Sequence, residues 1–285
     1  MKSNTKQHYV PRFYLRSWAN AAGSIWCFPV SAGKPFETSV DNVACERGLY
    51  SHPVKDGKYP LATEKIMAKI EGHYASKWPD ICDRAEHPDT RKNIARFVAL
   101  MALRHPESEA QVRHLNASFR AAVSGMAPDD TISIEHGTQS AVCTVAEVLQ
   151  GTGEDKDTIK SAFLRLLPAQ IESIADVLVQ RRWGIVFSDS PAFVTSDYPV
   201  VLHRGTATKK NIGFRTPGTQ ILFPISPTRL LAIADEWPHD FAHYKLTKRD
   251  LFNRIIVRAA VRFVLFNQND SHLAAQIPLW RVRQT

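Results

Sequence analysis

Trp183-Gly184-Ile185-Val186-Phe187 is where the chain changes character. The run is short and apolar. It is followed by Ala192-Phe193-Val194-Thr195, Val200-Val201-Leu202, Gln220-Ile221-Leu222-Phe223 and Arg229-Leu230-Leu231-Ala232-Ile233. Each is bounded by Pro, Gly or Asp, and runs of this length between turn formers predict strands. Upstream the period is helical. Ile66, Met67, Ile70, Tyr74 and Trp78 recur at spacings of three and four, with Thr63 as a cap and Pro79 as a stop. A second helix is expected over residues 89–104, with Ile94, Phe97, Val98, Met101 and Ala102 inward, and His105-Pro106 breaks it. Further helices are expected over residues 107–124, 138–149, 156–166, 169–181 and 248–267. Residues 277–280 read as a last strand, and residues 7–30 as an extended entry with a turn at Ala22-Gly23-Ser24. The fold class is therefore α+β. It is mainly helical, with a small antiparallel sheet formed by the N-terminal segment and residues 183–235 and packed against helices. No repeat or composition shift divides the 285 residues, so a single domain is expected.

The composition, 44% hydrophobic and 22% charged, belongs to a globular protein with an ample core. The longest apolar run, residues 255–266, is interrupted by Arg258 and Arg262 and falls short of the roughly 18–20 residues that span a bilayer. No apolar segment follows the first charges, so no secretory signal is expected. Cys27, Cys45, Cys82 and Cys143 are scattered without a CxxC pair, which argues against a zinc ribbon and predicts reduced thiols in a cytoplasm. The net charge of +8 is uneven. Residues 1–36 carry Lys2, Lys6, Arg12, Arg16 and Lys34 without an acid. Residues 203–215 carry Arg204, Lys209, Lys210 and Arg215, again without one. Such patches attract polyanions, nucleic acid first among them.

Three stretches hold the candidate chemistry. In Gln7-His8-Tyr9-Val10-Pro11-Arg12-Phe13-Tyr14-Leu15-Arg16, His8 reads as a general acid or base or as an anchor of the N-terminal strand. Glu64 and Glu71 lie seven apart on one helix face, so they cannot pair with each other. Ile70 and Trp78 flank Glu71 along the apolar stripe, so Glu71 is the one expected to be buried, with Arg104 of the next helix as its partner. In Thr195-Ser196-Asp197-Tyr198-Pro199-Val200, Asp197 is a base, a metal ligand or the acceptor of an Asx turn. The chain holds no GxxxxGK[ST] loop, HExxH helix or GxSxG elbow.

His8-Tyr9-Val10-Pro11-Arg12-Phe13-Tyr14-Leu15 is similar to the opening signature of a bacterial family catalogued as domain of unknown function 4238. The helix with Glu64 and Glu71, Arg104 with Pro106, and the Thr195–Val200 stretch followed by Phe223-Pro224-Ile225-Ser226-Pro227 resemble the same family. Two positions depart from its pattern: Tyr198 stands where Asn is more frequent, and His105 where a small residue is usual. The resemblance, over residues 7–266, implies a shared fold and site but no reaction.

Two functions are expected from these residues. The first is a nuclease-like phosphodiesterase, in a defence or toxin context, with His8, Glu71, Arg104 and Asp197 as catalytic residues. Arg12 and Arg16 hold phosphate, with Tyr14, Ser196, Lys209 and Lys210 completing the substrate-binding set, and a divalent cation is the one cofactor left open. The second is a module without chemistry that binds nucleic acid or a protein partner. No membrane contact is expected from either, and the residues do not fix an oligomeric state. Convergence of His8, Glu71, Arg104 and Asp197 beside a pocket favours the first, and their scattering or burial the second.

Overall fold

The computed structural model describes residues 6–282 apart from 32, 48, 50–61, 84–87, 137–138, 153–154 and 209–210. Strand β1 (Lys6–His8) enters and helix α1 (Arg12–Arg16) follows it. The extended entry expected over residues 7–30 is thus interrupted. Pro11 sits at the N-cap, and Leu15 N–H bonds the Pro11 carbonyl at 3.1 Å. Five residues are too few to show a helical period, and their aromatics read as strand. Strands β2 (Ser24–Pro29), β3 (Phe36–Ser39) and β4 (Cys45–Arg47) complete the N-terminal part, with a single 3-10 turn at Val40–Asn42.

The helical middle comprises α2 (Ala62–Asp83), α3 (Pro88–Leu103) and α4 (Pro106–Val123). Pro79 does not stop α2, which continues about one turn beyond it. The side chains of Thr63, Glu64, Ile66 and Met67 lie outside the described residues. Strands β5 (Thr131–His136) and β6 (Gln139–Thr144) then form a hairpin, with Ile132 opposite Cys143, and α5 (Val145–Thr152) follows. The helix expected over residues 138–149 is therefore half strand. The two helices expected over residues 156–166 and 169–181 are one, α6 (Lys156–Gln180), despite Pro168. Leu164, Leu167, Ile171, Ala175 and Leu178 stay in phase as a buried stripe across the proline. Each buried Leu or Ile stabilises by roughly 1.5–3 kcal/mol, and together they outweigh the ~3 kcal/mol cost of one interior proline. The stripe packs α6 along α3.

Strands β7 (Trp183–Phe187), β8 (Thr195–Ser196), β9 (Val201–His203), β10 (Gln220–Ser226), β11 (Arg229–Ile233) and β12 (Ala242–Lys245) follow. The chain ends in α7 (Asp250–Ala259), β13 (Phe263–Phe266) and α8 (Ser271–Arg281). Two differences from expectation stand here. Residues 248–267 are a helix followed by a strand, and residues 277–280 belong to α8, which carries Pro278 inside it.

The α+β class holds, while the strands divide between sheets. One has the order β12-β7-β11-β10-β9, antiparallel except for the parallel β12–β7 pair. Another, β3-β2-β13-β8, joins the N-terminal segment to the Thr195–Ser196 strand through β13, and β1–β4 and β5–β6 are two-stranded. One buried apolar cluster runs from Tyr9 and Trp18 through Phe97, Leu178 and Phe223 to Trp280. No helix among the described residues is long and apolar enough to cross a membrane.

Candidate functional site

The opening motif folds onto the ends of α2 and α3. Strand β1 pairs antiparallel with β4, placing His8 opposite Cys45 and Lys6 opposite Arg47. Tyr9 and Val10 are then buried, and both their N–H groups point to the Ala44 carbonyl. Arg104, just past α3, is fully covered and donates to the His8 carbonyl and, at 2.6 Å, to Glu71 Oε1. Glu71 keeps about a third of its side chain in solvent. The expected Glu71–Arg104 pair therefore exists, and it grips the backbone of His8 rather than its ring. A buried guanidinium needs such acceptors, because an unpaired buried charge is strongly destabilising.

The His8 ring is half-buried. Burial pushes its pKa below the ordinary histidine value, and the positive charge of Arg12 adds to this. A hydrogen bond with the Val40 backbone and the charges of Asp41 and Glu71 oppose it. Its Nε2 is buried without a hydrogen-bond partner.

Asp197 lies apart from this group. It is fully buried, and its carboxylate accepts from Val261 N–H at 3.0 Å and Arg262 N–H at 2.8 Å. Burial pushes its pKa up, and these amides pull it down. The bonds fix the turn between α7 and β13, which is distant in sequence, so they are not the local Asx turn expected for this residue. Ser196 is also fully buried, and its Oγ accepts from Tyr198 N–H at 3.1 Å. Tyr14 is buried as well, and its hydroxyl donates to the Pro224 carbonyl at 2.8 Å and lies 2.6 Å from Thr195 Oγ1. None of the three faces solvent in a substrate-binding geometry. Arg12 and Arg16 are exposed. Arg12 meets Asp41 at 3.1 Å, and its hydrogen bond holds the Asp41 carboxyl below the usual range. Lys209 and Lys210 lie outside the described residues.

The structure also joins residues that sequence reasoning did not connect. His105 caps α4, with Nδ1 accepting from Glu107 N–H at 3.1 Å. Its ring stands edge-on to Tyr9, with centroids 4.8 Å apart, and to Tyr198 at 4.9 Å. His105 and Tyr198, the two positions expected to depart from the family pattern, are thus in contact. Arg262 reaches Glu46 at 2.5 Å beside Tyr9. Around the 3-10 turn a basic patch forms: Lys6 donates to Asn42 Oδ1 at 2.9 Å, Arg12 to Asp41, and Arg16 and Arg47 are exposed nearby. The acid-free composition of residues 1–36 was its only signal. Among the described residues no group of three or more His, Cys, Asp or Glu side chains gathers closely enough to hold a metal ion.

Comparison with curated proteins gives no match, and neither does comparison with solved structures. A family model matches residues 6–270, a span that includes β1, the Glu71–Arg104 pair and the Asp197 turn, and the chain belongs to that family, described as protein of unknown function (DUF4238).

Proposed function

We propose that this chain is a nucleic-acid-binding module without chemistry of its own, whose contact surface is the patch of Lys6, Arg12, Arg16 and Arg47. The observation that carries the reading is the division of labour within the opening motif. Apart from His8 Nε2, its buried polar groups are engaged in structural bonds, the His8 carbonyl with Arg104 and the Tyr14 hydroxyl with the Pro224 carbonyl. Its exposed groups are the cations. Guanidinium and ammonium groups on one face are the ordinary means of tracking phosphates. The thiols of Cys27, Cys45 and Cys143 are free, which fits work in a reducing cytoplasm.

A hydrolytic reading keeps one supporting observation, the unpartnered Nε2 of His8 within electrostatic reach of Glu71. Against it, that atom is buried and Asp197 is held by amides elsewhere.

The test is fluorescence anisotropy with labelled single- and double-stranded DNA and RNA over a salt series, each tube also sampled for cleavage with Mg²⁺, Mn²⁺ and chelator. Binding should weaken steeply with salt. Arg12→Ala/Arg16→Ala should lower the magnitude of the log–log slope by about 0.7–0.9 for each phosphate that is no longer neutralised. No binding at low salt, or an unchanged slope in the folded variant, defeats the reading. Cleavage that disappears in a folded His8→Ala variant transfers the argument to the hydrolase.

A further inference from the structure

A concavity that none of the patch residues lines lies between α2, α3 and α6. Its volume is about 340 Å³, and its apolar wall is formed by Ile70, Tyr74, Leu100 and Ile171. That volume falls within the roughly 300–1,000 Å³ common for small-molecule sites. Tyr74, Leu100 and Ile171 are buried, and behind them stand Phe97 and Trp78, so the wall is firm.

The polar groups come from all three helices. Lys69 and His73, one turn apart on α2, are exposed at the rim, and Asn93 and Arg96 of α3 face them. Arg96 is already engaged: its Nε and Nη2 clasp Glu172 at 2.8 and 3.0 Å. Lys92 leans on the same carboxylate at 3.8 Å and on Asp176. The acid of the cavity is thus neutralised within its own wall. Lys69 has no ion-pair partner among the described residues.

We infer that this cavity binds a small organic monoanion, a carboxylate with a flat apolar body. The body lies against Tyr74, Leu100 and Ile171, and the carboxylate meets the Lys69 ammonium, with Asn93 and His73 as neighbouring hydrogen-bonding groups. A phosphate ester suits the site less well. The guanidinium of its wall that would clasp it bidentately is occupied by Glu172, and a dianion faces a single cation without an ion-pair partner among the described residues.

The experiment is a calorimetric titration of the full chain with hydrocinnamate, its neutral amide and inorganic phosphate. Hydrocinnamate should bind saturably, and the amide and phosphate about tenfold more weakly or not at all. Lys69→Met, an exposed change that leaves the fold intact by its unfolding midpoint, should cost hydrocinnamate about tenfold and leave the amide unchanged. Amide NMR shifts should centre on Tyr74 and Leu100. Absence of saturable binding, equal affinity for acid and amide, indifference to Lys69→Met, or shifts centred on the N-terminal patch each overturn the inference. Arg12→Ala/Arg16→Ala should leave hydrocinnamate binding untouched, which separates this site from the nucleic-acid surface.

Discussion

His105 accepts a hydrogen bond from Glu107 N–H through Nδ1, so the neutral ring carries its proton on Nε2, which is buried without a hydrogen-bond partner. Burial, with Arg262 adding to it, lowers its pKa to about 4. The unfolded chain takes up this proton below the ordinary value of 6.5, whereas the folded chain does not until about 4. Stability is therefore whole above pH 6.5 and falls as the pH drops toward 4, at about 1.4 kcal/mol per pH unit and about 3 kcal/mol in all. His105→Asn keeps a good N-cap and removes the titration. Urea unfolding from about pH 7 to about pH 4.5 should show the variant gaining on the parent as the pH falls, and parallel curves would refute the assignment. Residues differ in how legible such roles are. Glu71 and Arg104 could be paired from sequence, because a carboxylate on an apolar stripe needs a cation and the next helix supplies one. His105 could not be read this way, since its environment comes from Tyr9 and Tyr198, which are distant in sequence from each other.

At the scale of the element, Asp197 decides where α7 ends and β13 begins. Without its bonds the apolar run of residues 255–266 has the pattern of a continuous helix, which is how it reads in isolation. The aspartate captures the amides of Val261 and Arg262, and Phe263–Phe266 is left to pair with β2 and β8. Asn253 works similarly, accepting from Val194 N–H at 3.1 Å and donating to the Ala192 carbonyl at 2.8 Å, so residues 192–194 dock on α7 instead of forming a longer strand. Asp197→Ala leaves two amides without their acceptor and should destabilise by about 2–4 kcal/mol, while Asp197→Asn, which keeps one oxygen acceptor, should cost less. Equilibrium urea unfolding measures both, and a loss below about 1 kcal/mol in the alanine variant would mean the turn holds without it. Helices with a long in-phase stripe were visible in the sequence, α2 and α3 above all. What stayed hidden were elements set by single buried polar side chains, such as β13. Pro79 of α2 also misled, because packing overrides a local stop signal.

Across the whole molecule, the question is whether the helical middle and the sheets stand alone. The apolar cluster joins them: α1 lies between α2 and β10, with Tyr14 stacked on Phe223 at 5.5 Å and edge-on to Trp78 at the same distance. Trp78 in turn donates to Ser17 at 2.8 Å, and Phe97 of α3 touches Phe223 at 6.0 Å. Arg91 of α3 binds Asp240 and the Arg181 carbonyl, which ties the helices to the loop before β12. With bonds crossing at both ends, opening one part strips apolar cover from the other, so the folded chain should unfold as one unit. Calorimetry should then give a single transition whose measured enthalpy equals its van't Hoff enthalpy. Far-ultraviolet dichroism, which follows the helices, should coincide with tryptophan fluorescence from Trp18, Trp78 and Trp183. Two resolved transitions, or helices lost before the tryptophans are exposed, would show instead that the middle of the chain is a separate folding unit.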